Sequence, residues 1–313
     1  MVKYICQRLI AAAITLFVIL TLAFIVVRFM PGSVYDDPNL PEQVVEILEE
    51  KDHLNDPLLV QYGYFLSGVI FENDWGTSVK ISPGVGAFEV LSSRIPVSLT
   101  INLAALIFAI PVGMVCGIIA ALRKNQKIDT VISVAVVIGI SVPSFVFASL
   151  LQYFVGYKLG ILPLLYAPTG TIKEKVFSMV LPIIALSLGS IATITRYLRG
   201  ELIEVLGSDY IVLAKTKGLT DGQATVRHAM RNSSIPMLNV VVPLFANVLG
   251  GSMVVEQIFS IPGVGGLMVD SINVNDYSLT VATLLFYAFL SIASVLVVDL
   301  LYGVVDPRVR VGG

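Results

Sequence analysis

The stretch PVSLTINLAALIFAIPVGMVCGIIAA, Pro96 to Ala121, contains no Asp, Glu, Lys or Arg. A helix needs roughly 20 residues at about 1.5 Å each to cross the hydrocarbon of a bilayer, so this block can span one. The same test applied outward finds five more blocks, running approximately from Leu9 to Val27, Thr130 to Gly156, Val176 to Thr195, Met237 to Val255 and Leu279 to Val298. An all-α membrane protein with six transmembrane helices is expected. The composition agrees: the 313 residues are 56% hydrophobic and 13% charged, against roughly 25% charged in soluble domains. The first block is too long for a secretory signal and no A-x-A site follows it, so it reads as a retained span.

Lys and Arg in the connections set the orientation, because positively charged loops stay on the cytoplasmic side. With both termini inside, the inner segments hold Lys3, Arg8, Arg123, Lys124, Lys127, Arg196, Arg199, Lys215, Lys217, Arg227, Arg231, Arg308 and Arg310. The outer segments hold Lys51, Lys80, Arg94, Lys158, Lys173 and Lys175. The net charge of −2 conceals this asymmetry, with Asp36, Asp37, Glu42, Glu46, Glu49 and Glu50 outside. No basic footprint for nucleic acid is present.

The whole chain, residues 1–313, reads as one membrane domain with an extracytoplasmic insertion at 31–95. That insertion carries two amphipathic stretches, Pro41 to Lys51 and Pro57 to Ile70, each opened by a proline suited to a first helical turn. A partly helical outer cap between spans one and two is expected. Pro111, Pro143, Pro182 and Pro243 fall within or beside spans and are expected to bend or end helices. Gly113 and Gly117 form a small-xxx-small pair that permits close helix approach. Cys6 and Cys116 lie at or within spans and imply neither a disulfide framework nor a metal cluster.

The inner segment 199–235 reads RGELIEVLGSDYIVLAKTKGLTDGQATVRHAMRNSSI. Ser208 or Asp209 can cap a helix start, Tyr210 to Lys217 fills two turns, and Gly218 supplies the left-handed residue that ends it. Thr220 and Gln223 have capping-box spacing, and a second helix over Ala224 to Asn232 precedes Pro236, which opens the fifth span. The pattern is helix, glycine corner, helix. An isolated helix of about eight residues is unstable in water, so the first one must lie against something. Ala214, placed on its surface, leaves room for a close-fitting partner. Packing on the chain's own bundle and docking to another protein both satisfy these residues.

DYIVLAKTKGL followed by RHAMRNSSIP resembles the "EAA" loop in permease subunits of ATP-binding cassette importers, and specifically the dipeptide and oligopeptide branch. Ala214 matches the motif's last alanine and Gly218 its glycine, while Val212 and Leu213 stand where the general pattern has Glu and Ala. The resemblance extends over nearly the whole chain: PGS at Pro31 to Ser33, DPLLVQYGYFLSGVIFENDWGTS, RIPVSLTINL, IFSIPGVGGLMVDSINVNDYSL and the terminal DPRVR. It implies the type I importer permease fold in a prokaryotic cytoplasmic membrane. The implied partners are a second, non-identical permease, two ATPase subunits that bind ATP and Mg, and an external binding protein that delivers peptide, with membrane lipid around the spans. It also implies that Asp209, Tyr210, Ala214, Lys215, Gly218 and Leu219 couple to the ATPase.

At the other side, Glu256 precedes the turn-rich Pro262 and Gly263, and the resemblance places all three at the outer mouth of the pathway. Glu256 is expected either to contact peptide or the binding protein, or to sit in interfacial water, since a carboxylate deep in lipid is costly. Asn102, Gln152, Asn239 and Asn247 could line the pathway or bond between helices, and Asp299 is expected to meet a cation or water. The two histidines, His53 and His228, are far apart in the chain, and H-E-x-x-H, G-x-S-x-G and G-x-x-x-x-G-K-[ST] are all missing. An integral-membrane enzyme or a chain with its own ATP site is therefore disfavoured. A stand-alone secondary transporter is the other rival, and it commonly needs ionisable groups mid-membrane that these spans nearly lack. Nickel chelates and glutathione remain alternative substrates for the same architecture.

Overall fold

The computed structural model describes residues 2–29, 35, 42–51, 53–247 and 252–305. They form helices α1 (Val2–Phe29), α2 (Glu42–Lys51), α3 (Leu58–Ser67), α4 (Ala87–Leu122), α5 (Lys127–Ser141), α6 (Ser144–Leu151), α7 (Ile172–Leu206), α8 (Asp209–Thr216), α9 (Asp221–Ala224), α10 (Met230–Asn247), α11 (Met253–Ile258), α12 (Val264–Asn273) and α13 (Tyr277–Val305). Wider π-helical turns extend α3 over Gly68–Glu72, extend α6 over Gln152–Lys158, and join α9 to α10 over Thr225–Ala229. Among the described residues the only β-type pairing is one isolated bridge between Thr77 and Gly86.

Among the described residues four helices are long and apolar enough to cross a bilayer: α1, α4, α7 and α13. The third expected span is not one straight helix. Its two halves, α5 and α6, meet at a bend of 106°. The residue before a proline is pushed out of the α region and proline donates no N–H. Val142 accordingly turns extended, at ψ 121°, and Pro143 is the N-cap of α6. The fifth expected span starts within α10, whose described part ends at Asn247, and ends in α11. Pro236 does not open this span as expected. It sits with Pro243 inside α10, because the helix is already running from Met230.

The chain divides into two compact units, one of Met1–Pro96 with Pro262–Gly313 and one of Val97–Ile261. In the first, α1 and α12 both pack on α13. One core gathers Ala23, Val281 and Leu285 with Phe65 and Trp75, and another gathers Ala87, Leu91, Val264, Leu267 and Leu279. The turn between them hangs on one carboxylate. Buried Asp276 accepts from the Ser78 hydroxyl at 2.6 Å and from the backbone N–H of Lys80 and Ile81 at 3.0 Å each.

In the second unit α7 is the central post, with α5, α6 and α10 laid on it. Gly113 of α4 lies so close to α7 that a Cβ there would stand 2.8 Å from Cβ of Ile194, and at Gly117 one would stand 3.0 Å from Cβ of Leu198. The small-residue pair thus finds its partner within the chain. The near approach lets Thr195 donate to the Gly113 carbonyl at 3.1 Å and Ser187 to the Ala105 carbonyl at 2.9 Å. Both hydroxyls are buried and satisfied inside an apolar bundle, which removes a cost of about 1–3 kcal/mol per unpaired group.

Candidate functional site

Helix α8 occupies the predicted inner loop, between the long α7 and the helix that runs on from α9 into α10. Ser208 stands at its N-cap in extended backbone, but its hydroxyl turns back and donates to the Val205 carbonyl at 2.6 Å. The helix start is instead held by the Ser208 carbonyl, which accepts from the N–H of Ile211 and Val212. Asp209 is exposed in the first turn, where a negative charge favours the helix dipole.

The C-terminal end is a Schellman corner. The Gly218 N–H donates to the Lys215 carbonyl at 2.9 Å and the Leu219 N–H reaches the Ala214 carbonyl at 3.3 Å. This closure needs a left-handed residue, and Gly218 has φ +95°. No neighbour lies within 4 Å of a Cβ built there, so the demand for glycine is conformational and not steric. Leu219, just past the corner, packs onto the core formed by Leu198, Leu202, Ile211, Ala224 and Ala229. The capping box also forms: the Thr220 N–H donates to the Gln223 side chain at 3.1 Å and the Gln223 N–H to the Thr220 hydroxyl at 3.3 Å.

Ile211 and Ala214 are the inward face of α8, both buried. Ala214 is therefore not on the surface as expected, and its small side chain serves the fit of α8 to its own unit. The outward groups are Tyr210, Val212 and Leu213, all exposed, with Lys215 also at the surface. Full burial of a side chain such as Ile211 is worth roughly 1.5–3 kcal/mol, which offsets the weakness of so short a helix. The Asn232 amide donates to the Tyr210 hydroxyl at 2.9 Å and ties α8 to α10. The result is a footed helix that turns apolar groups outward.

A polar clasp near this loop escaped sequence reading. Arg199 of α7 grips Asp129 of α5 through Nε to Oδ1 at 2.6 Å and a second guanidinium nitrogen to Oδ2 at 2.9 Å, a bidentate pair. The Asn125 N–H adds a bond to Oδ2 at 2.9 Å, and Asp129 is 4% exposed. A signal was present, since Asp129 is the only acidic residue from Val97 to Thr171. Its partner 70 positions away was not legible.

The residues expected at the outer mouth divide between the two units. Glu256, in α11, is 2% exposed and accepts from the Ser98 hydroxyl at 2.7 Å, so it is neither in interfacial water nor presented outward within its unit. A carboxylate in such a place needs donors, and Ser98 supplies one. Pro262 and Gly263 belong to the other unit, where Gly263 caps α12. Gln152 donates to the carbonyls of Ile258 at 2.7 Å and Leu164 at 3.1 Å, and Asn102 donates back to the Ser98 carbonyl at 2.7 Å. The side chains of Asn239, Asn247 and Asp299, and the whole of 306–310, lie outside the described residues.

Comparison with known proteins agrees with this architecture. The chain matches the model of the binding-protein-dependent transport system inner membrane component over residues 113–311, and the model of that family's N-terminal region over residues 1–104. It is 40% identical to the dipeptide transport system permease protein DppB of Lactococcus lactis subsp. cremoris over 310 residues, which covers 99% of this chain and 100% of that one. The DppB of Bacillus subtilis is 39% identical, covering 99% and 98%, and the oligopeptide transport system permease protein OppB of Escherichia coli K12 is 37% identical, covering 99% and 100%. Among solved structures, a chain of the inward-facing MetNI methionine ABC transporter superposes with a TM-score of 0.56 at 15% identity, covering 70% of this chain and 97% of that one, a likeness of fold. Spans, footed loop helix and end-to-end similarity converge, and the chain belongs to the family of binding-protein-dependent transport system inner membrane components, as a multi-pass membrane protein.

Proposed function

We propose that this chain is the membrane-spanning subunit of a peptide-importing ATP-binding cassette transporter. It forms the path that di- and oligopeptides follow and takes its drive from separate ATPase subunits through α8. The observation that carries this reading is the build of α8: one face is locked to the chain's own core, the corner is fixed by Gly218, and Tyr210, Val212 and Leu213 are turned outward. Force needs a stiff handle, and a core contact, a fixed corner and the Asn232–Tyr210 bond are what would stiffen this one. End-to-end similarity to dipeptide and oligopeptide permeases supports the substrate class.

On this reading the chain spans the membrane six times in the type I arrangement, with the bent α5–α6 pair as one crossing and α10 with α11 as another, and both termini are cytoplasmic. Its partners are a second homologous permease, two ATPases that hold ATP and Mg, and an extracytoplasmic binding protein. Asp209, Tyr210, Lys215 and Leu219 flank the docking surface, and Ala214 and Gly218 set its shape. Glu256 acts at the outer gate by fixing Ser98 on α4, and Pro262 with Gly263 acts there by starting α12.

The test is Gly218→Val in the assembled complex in vesicles. A β-branched residue held at φ near +95° costs about 1–3 kcal/mol of backbone strain, with nothing nearby to clash. Membrane insertion should persist, peptide uptake should fall, and ATP hydrolysis should continue without transport. Normal uptake would remove the coupling role. The peptides that stimulate ATP hydrolysis when the cognate binding protein is present define the substrate range.

A further inference from the structure

Helix α3 with its π-helical turn, Leu58–Glu72, is apolar but short of the length needed to cross. At about 1.5 Å per residue its 15 residues extend roughly 22 Å, against about 30 Å of hydrocarbon. From Leu58 to Phe71 it holds no charged residue, while His53, Asp56, Glu72 and Asp74 bracket it. Its surroundings fix its depth. The Tyr62 hydroxyl lies 2.6 Å from the Thr21 hydroxyl of α1, and the Phe24 ring meets Tyr62 at 5.2 Å and Phe65 at 5.4 Å.

Thr21 and Phe24 lie inside the apolar span that ends at Val26. They are five and two residues from its end, or about 8 and 3 Å along the helix axis. The Thr21 contact lies at the depth to which interfacial helices bury their apolar face, about 5–10 Å, and the Phe24 contact lies nearer the surface. Arg28, one turn past Phe24, places its guanidinium 5.6 Å from that ring, as a cation does at the edge of the hydrocarbon.

With one side of α3 held against α1, the other side is bare. Leu59 is 85% exposed and Phe71 84%, with Ile70 and Leu58 more than half exposed. On α1, Leu22, Ile25 and Val26, which flank Phe24 in the sequence, are exposed as well. Tyr64, stacked on His53 at 3.9 Å, supplies an aromatic group at the polar edge.

We propose that α3 is an interfacial helix lying along the membrane surface beside the outer end of α1, with Leu59 and Phe71 inserted among the lipid chains. It is thus a lipid-anchored strut for the outer segment and not part of a cap standing in water. This rests on the reading of α1 as a membrane span, which the same experiment checks separately.

The experiment is nitroxide labelling of single cysteines, introduced one at a time after replacing Cys6 and Cys116 with Ser, in the assembled complex in phosphatidylcholine vesicles. The labelled variants are Leu59→Cys, Phe71→Cys, Phe17→Cys in mid-span and Glu46→Cys on the acidic α2. Collision with oxygen should exceed collision with a water-soluble nickel chelate at 59, 71 and 17, the excess at 59 and 71 being smaller than at 17, and the order should reverse at 46. Two results overturn the proposal: nickel accessibility at 59 and 71 equal to that at 46, or exclusion of both reagents there, which means that another protein covers the face. An aqueous label at 17 would instead refute the span on which the proposal stands.

Discussion

The corner at Gly218 and the turn around Ser78 are both short irregular segments between long helices, and they are fastened in opposite ways. At the first, the fastening is apolar and local: Ile211 and Leu219 pack in a core, and the helix closes by bonds from the Gly218 N–H to the carbonyl three back and from the Leu219 N–H to the carbonyl five back. At the second, one buried carboxylate, Asp276, collects the Ser78 hydroxyl and two backbone N–H groups from nearly 200 residues away in the chain. Apolar burial is non-directional and leaves the opposite face free to meet a partner, whereas a carboxylate with three donors fixes one geometry. The lesson is that a handle and a clamp can share a fold when they use different forces.

Removing the clamp has the largest expected effect. Asp276→Ala leaves three donors without their acceptor in a buried place, a loss of about 3–5 kcal/mol for a broken buried charged network. Thermal unfolding of the complex should shift down and protease should reach the 75–86 segment. Asp276→Asn sharpens the point. Among the described residues the Oδ1 atom of Asp276 has no partner, so an amide oxygen can take the role of Oδ2 while the amide nitrogen is left buried without an acceptor, and only part of the loss should be recovered. A wild-type melting curve for Asp276→Ala would refute the carboxylate as the clamp.

Ile211→Ala tests the handle. Truncating a buried Ile costs about 2–5 kcal/mol, and here the cost falls on one short helix that cannot stand alone. Global unfolding should change less than for Asp276→Ala, while hydrogen exchange across Asp209–Thr216 should rise and uptake should fall. Equal damage to both units would show that α8 is a general core element and would blur the contrast drawn above.

These two regions also show what a sequence yields. The α8 corner was legible almost residue by residue, because capping spacing, a C-terminal glycine and helical periodicity are all local rules. Charge-free length gave α1, α4, α7 and α13 equally plainly. What was not legible is long-range. The pairing of Asp276 with Ser78, of Asp129 with Arg199, and of Glu256 with Ser98 depends on which distant helices the bundle brings together, and no spacing encodes that. The inward turn of Ala214 escaped for a related reason: the face of a short helix that packs depends on its neighbours. Pro143 was read as a site of bending, but a turn of 106° exceeds the ordinary kink because Val142, just before it, leaves the helical region altogether. Pro236 misled in the other direction, since the helix is already running from Met230 and carries the proline inside it.

The smallest expected effect separates two roles of one side chain. The Tyr210 hydroxyl takes the Asn232 amide at 2.9 Å and its ring is exposed on the outward face of α8. Tyr210→Phe keeps the ring and loses the bond, worth about 0.5–1.5 kcal/mol and less at an exposed site. Asn232→Ala loses the same bond from the other side. If the tie between α8 and α10 stiffens the handle, both variants should lower uptake slightly and alike. Tyr210→Ala removes the ring as well, and if the ring meets the ATPase, it should weaken subunit association well beyond either of them. Equal behaviour of all three would assign Tyr210 to the tie alone, and the docking surface would then shrink to Val212 and Leu213.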